Sequence, residues 1–325
     1  MAQQPTRNPE AYKLYLQGRF YWNKRNPEAI TKARDFFQQA IVADPQFALA
    51  YSGLADACNM LGITYRVLRP EEGFRCAQDA AQTALRLNPE LAEAHASLGL
   101  IHLNRFRWAP AEREFKRALE LNPNYTNALL WYSILQLARN HVDESTALMR
   151  KAVQVDPLSS IMVTNLAMRL NVAGKYSEGL ANAQKGMELD PTHKPAWWMN
   201  AFAYERLGNR EKAAEMYERG ADLPGHPGGR EAMLIHLNML RGNQAEAEKL
   251  VRSLEQRAAL GEVPQTIVGC GYSTIGDRDK AFLWLNRGLA AREPALRDNR
   301  LMYESLSGDP RFDELMRRLA RGFDD

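Results

Sequence analysis

The sequence predicts an all-α solenoid, a stack of helix–turn–helix repeats, on three observations. First, Pro89, Pro123, Pro157 and Pro191 stand 34 residues apart, each preceded by Asn or Asp (Asn88, Asn122, Asp156, Asp190), and Asp44-Pro45 repeats the pair upstream. Proline lacks an N–H and biases the residue before it away from helix, so each pair closes a helix. Second, Gly174-Lys175 and Gly208-Asn209 fall between successive prolines, where glycine ends a helix in the left-handed conformation at least cost. Third, 325 residues exceed most single cores, and a fixed period of this size is the signature of a repeat array.

The elements follow in order. Residues 1–10 read as an N-terminal extension and 11–295 as the array. In repeat 11–47, "EAYKLYLQGRFYWNKR" pairs with "AITKARDFFQQAIVADP" across a slightly long turn at Asn26-Pro27. In repeat 48–91, a first helix over 49–62 pairs with a second over 76–89, and the stretch 63–72 is an insertion between them. Units 92–125, 126–159, 160–193 and 194–227 follow without gaps. Small residues at unit position 8 (Gly99, Ser133, Ala167, Ala201) let the first helix approach the second. Those at positions 20 and 27 (Ala111 and Ala118, Gly179 and Gly186, Ala213 and Gly220) do the same from the other side. Repeats 228–261 and 262–295 turn at Gly242-Asn243 and Gly276-Asp277, and the Pro/Gly-rich stretch 222–230 reads as a loosened junction. The segment 296–325 reads as a cap. Asp309 is its N-cap, Pro310 its first helical residue, and Phe312, Leu315, Met316 and Leu319 form one apolar stripe.

Composition narrows the function classes. The 42 basic residues barely exceed the 39 acidic ones and are interspersed with them, which gives no ground for direct nucleic-acid contact. No apolar run reaches the ~18 residues a membrane span needs, and "MAQQPTRNPE" has no apolar signal core. Cys58, Cys76 and Cys270 are scattered and odd in number, which fits a reducing, cytoplasmic setting better than a disulfide framework. "GCGYSTIG" (269–276) does not match a dinucleotide loop and "VAGKYS" (172–177) lacks the upstream phosphate-loop glycine. The six histidines show no zinc spacing; His95 and His102 sit at packing positions. No Ser-His-Asp elbow or paired catalytic carboxylate is recognisable, so no catalytic residue, metal or cofactor is expected. "NYT" (124–126) is a formal glycosylation sequon of little weight in such a chain.

The pattern resembles the tetratricopeptide repeat, a 34-residue helix–turn–helix unit that stacks into a right-handed superhelix. A narrower likeness, carried by the second-repeat insertion, "RWAPAEREFKRALELNPNY" and "DPRFDELMRR", is to the C-terminal arrays of bacterial winged-helix transcription regulators, serine/threonine kinases and adenylate cyclases. The resemblance implies that first helices line a concave groove. Its pointing positions map to Leu100, Leu103, Asn104, Asn127, Leu130, Ile134, Leu137, Thr164, Met168, Asn171, Trp198, Phe202, Glu205 and Arg206. A more polar end carries Tyr15, Arg19, Trp22, Ser52, Asp56 and Asn59. The family's clamp for chaperone C-terminal tails needs Lys and Asn at positions 5 and 9 of one unit, and no unit here has them. The expected function is therefore a non-catalytic scaffold holding a peptide or partner segment by apolar anchors, with self-association possible. Two alternatives stand beside it. The chain is a sensory or oligomerising signalling module whose effector domain is absent, or some of these side chains simply pack between neighbouring first helices. The opening Met1 gives slight weight to a stand-alone chain.

Overall fold

The computed structural model describes residues 6–323. The first five residues of the expected extension and the last two of the expected cap lie outside the described residues. Regular structure is helical throughout the described residues, and the helices pack in consecutive pairs, an α-solenoid architecture. The chain divides into two compact units at Trp131/Tyr132, with Phe323 belonging to the first.

In the first unit, α1 (Pro9–Asn23) packs on α2 (Pro27–Ala43), α3 (Ala48–Asn59) on α4 (Pro70–Leu87), and α5 (Ala92–Asn104) on α6 (Trp108–Leu121). α7 (Thr126–Ala138) spans the division. In the second unit follow α8 (Val142–Val155), α9 (Ser160–Val172) with α10 (Tyr176–Leu189), and α11 (Lys194–Arg206) with α12 (Arg210–Ala221). α13 (Gly229–Leu240) then packs with α14 (Gln244–Ala259), and α15 (Gln265–Ile275) with α16 (Arg278–Ala290). The short α17 (Pro294–Asp298), a 3-10 turn (Arg300–Leu306) and α18 (Pro310–Arg321) complete the chain. Within each unit first helices neighbour one another, α1 with α3, α3 with α5, α9 with α11 and α13 with α15, so each unit presents a first-helix face.

The Asn/Asp-Pro pairs work as helix stops in a specific way. Asp44, Asn88, Asn122 and Asp190 are C-caps with extended φ/ψ, and each carboxyl or amide oxygen accepts the backbone N–H two residues on, at 2.9–3.1 Å. These Asx turns satisfy a donor that the following proline's geometry leaves free, and so set the entry to the next helix. The turn inside each repeat from residue 92 onward keeps the same clock over a longer stretch. Phe106, Asn140, Gly174, Gly208, Gly242 and Gly276 stand 34 apart, and all have φ between 59° and 88°. The turn thus requires a left-handed residue whether or not glycine is there. Phe106 meets the strain of roughly 1–2 kcal/mol because its ring is fully buried, 5.1 Å from Trp108 and 6.0 Å from Phe323.

Three local expectations change. Cys58 and Cys76 are joined by a disulfide across α3 and α4, with a Cα–Cα distance of 5.9 Å, while Cys270 is free and buried. The spacing of 18 along the chain hides this pairing, because the helix hairpin brings the two cysteines together. The cysteines therefore give no argument for a reducing compartment. The expected insertion is partly helical: a π turn (Met60–Thr64) prolongs α3 and Pro70 opens α4. The 222–230 junction is tied down, since the buried Lys194 ammonium donates to the Ala221 and Leu223 carbonyls at 2.6 and 2.9 Å, and Arg230 pairs with Asp222. Asp309 caps α18 as the sequence implies, and Phe312, Leu315, Met316 and Leu319 are buried. Among the described residues no helix is long and apolar enough to cross a membrane.

Candidate functional site

On the first-helix face of the first unit, polar side chains from four helices converge. The Ser97 hydroxyl lies 2.6 Å from the Asp56 carboxylate and 3.1 Å from Ser52 Oγ, and the Asn104 amide donates to Asn59 at 2.6 Å. The Arg19 guanidinium stands 3.8 Å from Asp56 and over Trp22, and Arg25 lies 3.4 Å above the same indole while donating to Asn127 at 3.5 Å. Burial pushes the Asp56 carboxyl up to about 6, against the opposing pull of Arg19, Ser97 and Arg25. Burial also lowers Arg25 to about 10. The expected polar end is thus assembled, but Trp22, Ser52, Asp56 and Asn59 are buried within it.

In the second unit the first-helix face carries a chain segment. The 3-10 turn lies against α9 and α15. Leu301 joins an apolar cluster with Ala167, Ala183, Met199 and Phe202, bordered by Met168 and Trp198. Glu304 pairs with Arg206 at 3.0 Å, Ser305 Oγ lies 2.7 Å from Ser273 Oγ, and Arg300 donates to Asn140 at 2.8 Å. Beside the segment is a cavity of about 280 Å³, bounded by Phe202, Glu205, Arg206, His236, Thr274 and Met302 among others. Behind it Trp198, Tyr217 and His236 form an aromatic cluster with ring centroids 5.0–5.3 Å apart. Burial opposes ionisation of the Glu205 carboxyl. His236 at 3.7 Å, the Tyr217 hydroxyl at 3.1 Å and Arg206 outweigh it, and the carboxyl sits below its ordinary range.

The fourteen groove positions separate by burial. Leu100, Leu103, Asn104, Asn127, Leu130, Leu137, Thr164, Asn171 and Phe202 are buried, Ile134, Met168, Trp198 and Glu205 are half-buried, and Arg206 is exposed. Apart from Phe202, whose edge lines the cavity, the buried residues offer a partner almost no area. The reason is geometric: a first helix has its own second helix behind it and further first helices beside it, so few positions stay open. Thr164 and Asn171 show this directly. They sit over Gly186 and Gly179 of α10, so close that a Cβ on either glycine would fall 2.4 or 2.1 Å from their side-chain oxygens. Trp198, Phe202, Glu205 and Arg206 are the positions that the fold brings to one place. His236, Ser273 and Thr274 belong to the same place; they stand 34, 68 and 68 residues after Phe202, Glu205 and Arg206, so the repeat register could have found them, whereas the 300–306 segment carries no such signal. Arg169 is a further surprise. Charged yet fully buried in α9, it donates to Ser133 and Asn165 at 3.1 Å, and burial lowers it to about 10.

Thr274, His236 and Glu205 line up like a nucleophile, base and acid, but Thr274 Oγ1 also donates to the Cys270 carbonyl of its own helix at 3.0 Å, leaving His236 Nε2, at 3.1 Å, to act as the donor between them. A hydroxyl committed to its helix backbone is not activated for attack. His95 and His102 are packing histidines, as their positions imply. His95 bonds Glu114 at 2.7 Å, which raises its pKa, and burial lowers that of His102.

The fold and this face define a helical-repeat protein. Family models described as tetratricopeptide repeat match residues 92–125 and 195–224, so the chain carries tetratricopeptide repeats within its helical array. Among curated proteins it is 25% identical over 306 residues to human DnaJ homolog subfamily C member 7, covering 88% of this chain and 57% of the relative. It is 25% identical over 113 residues to the heat-shock protein cognate co-chaperone sgt12 of Aspergillus fumigatus, covering 35% and 33%. The chain thus spans a third to just over half the length of these relatives. Its fold is similar to that of the human IFIT1 dimer with PPP-AAAA, at 17% identity and a TM-score of 0.55, covering 86% of this chain and 72% of that one.

Proposed function

We propose that this chain is a non-catalytic protein-interaction scaffold that holds a partner's peptide segment on the first-helix face of its second unit. The observation that carries the reading is the cavity of about 280 Å³ on that face, where an apolar wall (Phe202, Met239, Leu240) meets the exposed Arg206 and the polar Glu205, His236 and Thr274. Apolar walls supply affinity, and a few placed charges set register. Each buried anchor is worth roughly 1.5–3 kcal/mol, so three or four support micromolar capture after association costs. The co-chaperone name of one relative, sgt12, favours protein partners in general. A chaperone C-terminal tail is disfavoured, because no repeat carries the Lys and Asn that its clamp needs.

The test is selection from a random peptide library on the full chain, with each binder re-measured on Arg206→Glu and Trp198→Ala. Binders should lose at least tenfold in affinity on Arg206→Glu while the far-ultraviolet circular dichroism is unchanged. A selection that returns no binder sensitive to either change overturns the reading.

A further inference from the structure

The residues Arg300–Leu306 lie on the second unit's first-helix face much as a bound peptide would. The segment has two sides. Tyr303 and Leu306 are buried, the Tyr303 ring 6.3 Å from Phe312 and its hydroxyl donating to the Leu296 carbonyl. The other side meets the face: Leu301 enters the cluster of Ala167, Met199 and Phe202, Met302 borders the cavity, Glu304 pairs with Arg206, and Ser305 meets Ser273. In order, the face reads two adjacent apolar side chains, a residue turned away, an acid and a hydroxyl.

We propose that the partner segment taken by this face carries the same pattern (apolar, apolar, any residue, Glu or Asp, Ser or Thr), and that it competes with the chain's own 300–306 segment for the site. The inference rests on the scaffold reading above. Three features make the segment displaceable. A 3-10 turn is a weak element, and this one is interrupted at Tyr303, whose φ and ψ of −123° and 17° are not helical. The Arg206–Glu304 pair is about a third exposed on both sides (38% and 29%), so solvent screens it. Gly308, with φ +88°, follows the segment, and glycine's freedom at either sign of φ lets the chain pivot there. Occupation in cis lowers apparent affinity for a partner by the fraction of time the face is free.

The probe is a fluorescein-labelled synthetic peptide with the sequence of residues 299–307, NRLMYESLS, titrated by anisotropy against the full chain. A Leu301→Ala/Glu304→Ala variant, with its own segment weakened, should bind it at least tenfold more tightly than the wild type, a difference of about 1.4 kcal/mol. A probe carrying Glu304→Lys should lose binding to that variant and regain it when the variant also carries Arg206→Glu. Equal affinity for wild type and variant, or no reversal on the charge swap, overturns the proposal. Glu304→Ala alone, a change at a partly exposed ion pair, must move affinity in the same direction; this keeps the test decisive if the double variant melts. Arg206-dependent library ligands of a different pattern would sink this inference and leave the scaffold reading standing. Absence of any peptide bound at this face sinks both.

Discussion

Gly99 of α5 faces Phe115 of α6 so closely that a methyl at position 99 would fall 2.5, 2.6 and 3.1 Å from three ring carbons. Ordinary carbon contacts lie near 3.5–4.0 Å, and Phe115 is fully buried, so the ring has nowhere to retreat. In the wild-type background Gly99→Ala gains about 1 kcal/mol of helix propensity and loses roughly 1–3 kcal/mol to overpacking. The net is a loss of up to about 2 kcal/mol. Phe115→Ala alone should cost about 3–5 kcal/mol through the cavity it opens. In that background the methyl meets no ring. It keeps its propensity gain and covers part of the cavity, so Gly99→Ala becomes stabilising by about 1–2 kcal/mol. The double-mutant cycle should therefore show a coupling of about 1–4 kcal/mol, read by urea denaturation followed by circular dichroism. Additive effects, or a Gly99→Ala change of the same sign in both backgrounds, would refute the claim that the glycine exists to admit the aromatic ring.

Further outcomes are expected. Cys76→Ser should lower stability by about 3 kcal/mol, the loop-closure value for a bridge spanning 18 residues, and the denaturation midpoint of the wild type should fall on reduction but that of the variant should not. Asp56 titrates near 6 in the folded chain against 3.8 when unperturbed, so the folded state holds this proton more tightly than the unfolded state. Its contribution is then fully present below about pH 4 and lost as pH rises through 6, roughly 3 kcal/mol in all. Asp56→Asn should flatten the stability profile over that window; an unchanged slope would show that another group is responsible. Lys194→Met removes a buried ammonium from two carbonyls and should cost about 1–3 kcal/mol in thermal denaturation, with the loss cancelled if the 222–230 junction carries no stability.

Much of the architecture was legible in the chain because it rests on local chemistry. Asn and Asp before proline stop helices through their own side chains, and Ala and Gly at fixed positions permit helix approach. Phe312 to Leu319 declare an amphipathic cap. The turn at Phe106 was not legible, because a left-handed phenylalanine is tolerated only once tertiary packing holds its ring. The site was less legible still. Trp198 and Arg206 were within reach of the repeat register, but Thr164 and Asn171 share that register and point at the glycines of their own second helix. Register assigns an angle around one helix, whereas exposure depends on what every neighbour covers.

The sequence by itself determined the period, the pairing of helices, their stops and the capped end, since each follows from backbone preferences and small-residue spacing within about forty residues. The tertiary structure alone decided the Cys58–Cys76 bridge, the buried company of Asp56 and Arg19, and the seating of Leu301 and Glu304 on the first-helix face. Those depend on contacts between residues far apart in the chain, and no local preference encodes which distant segment comes to lie over a given face.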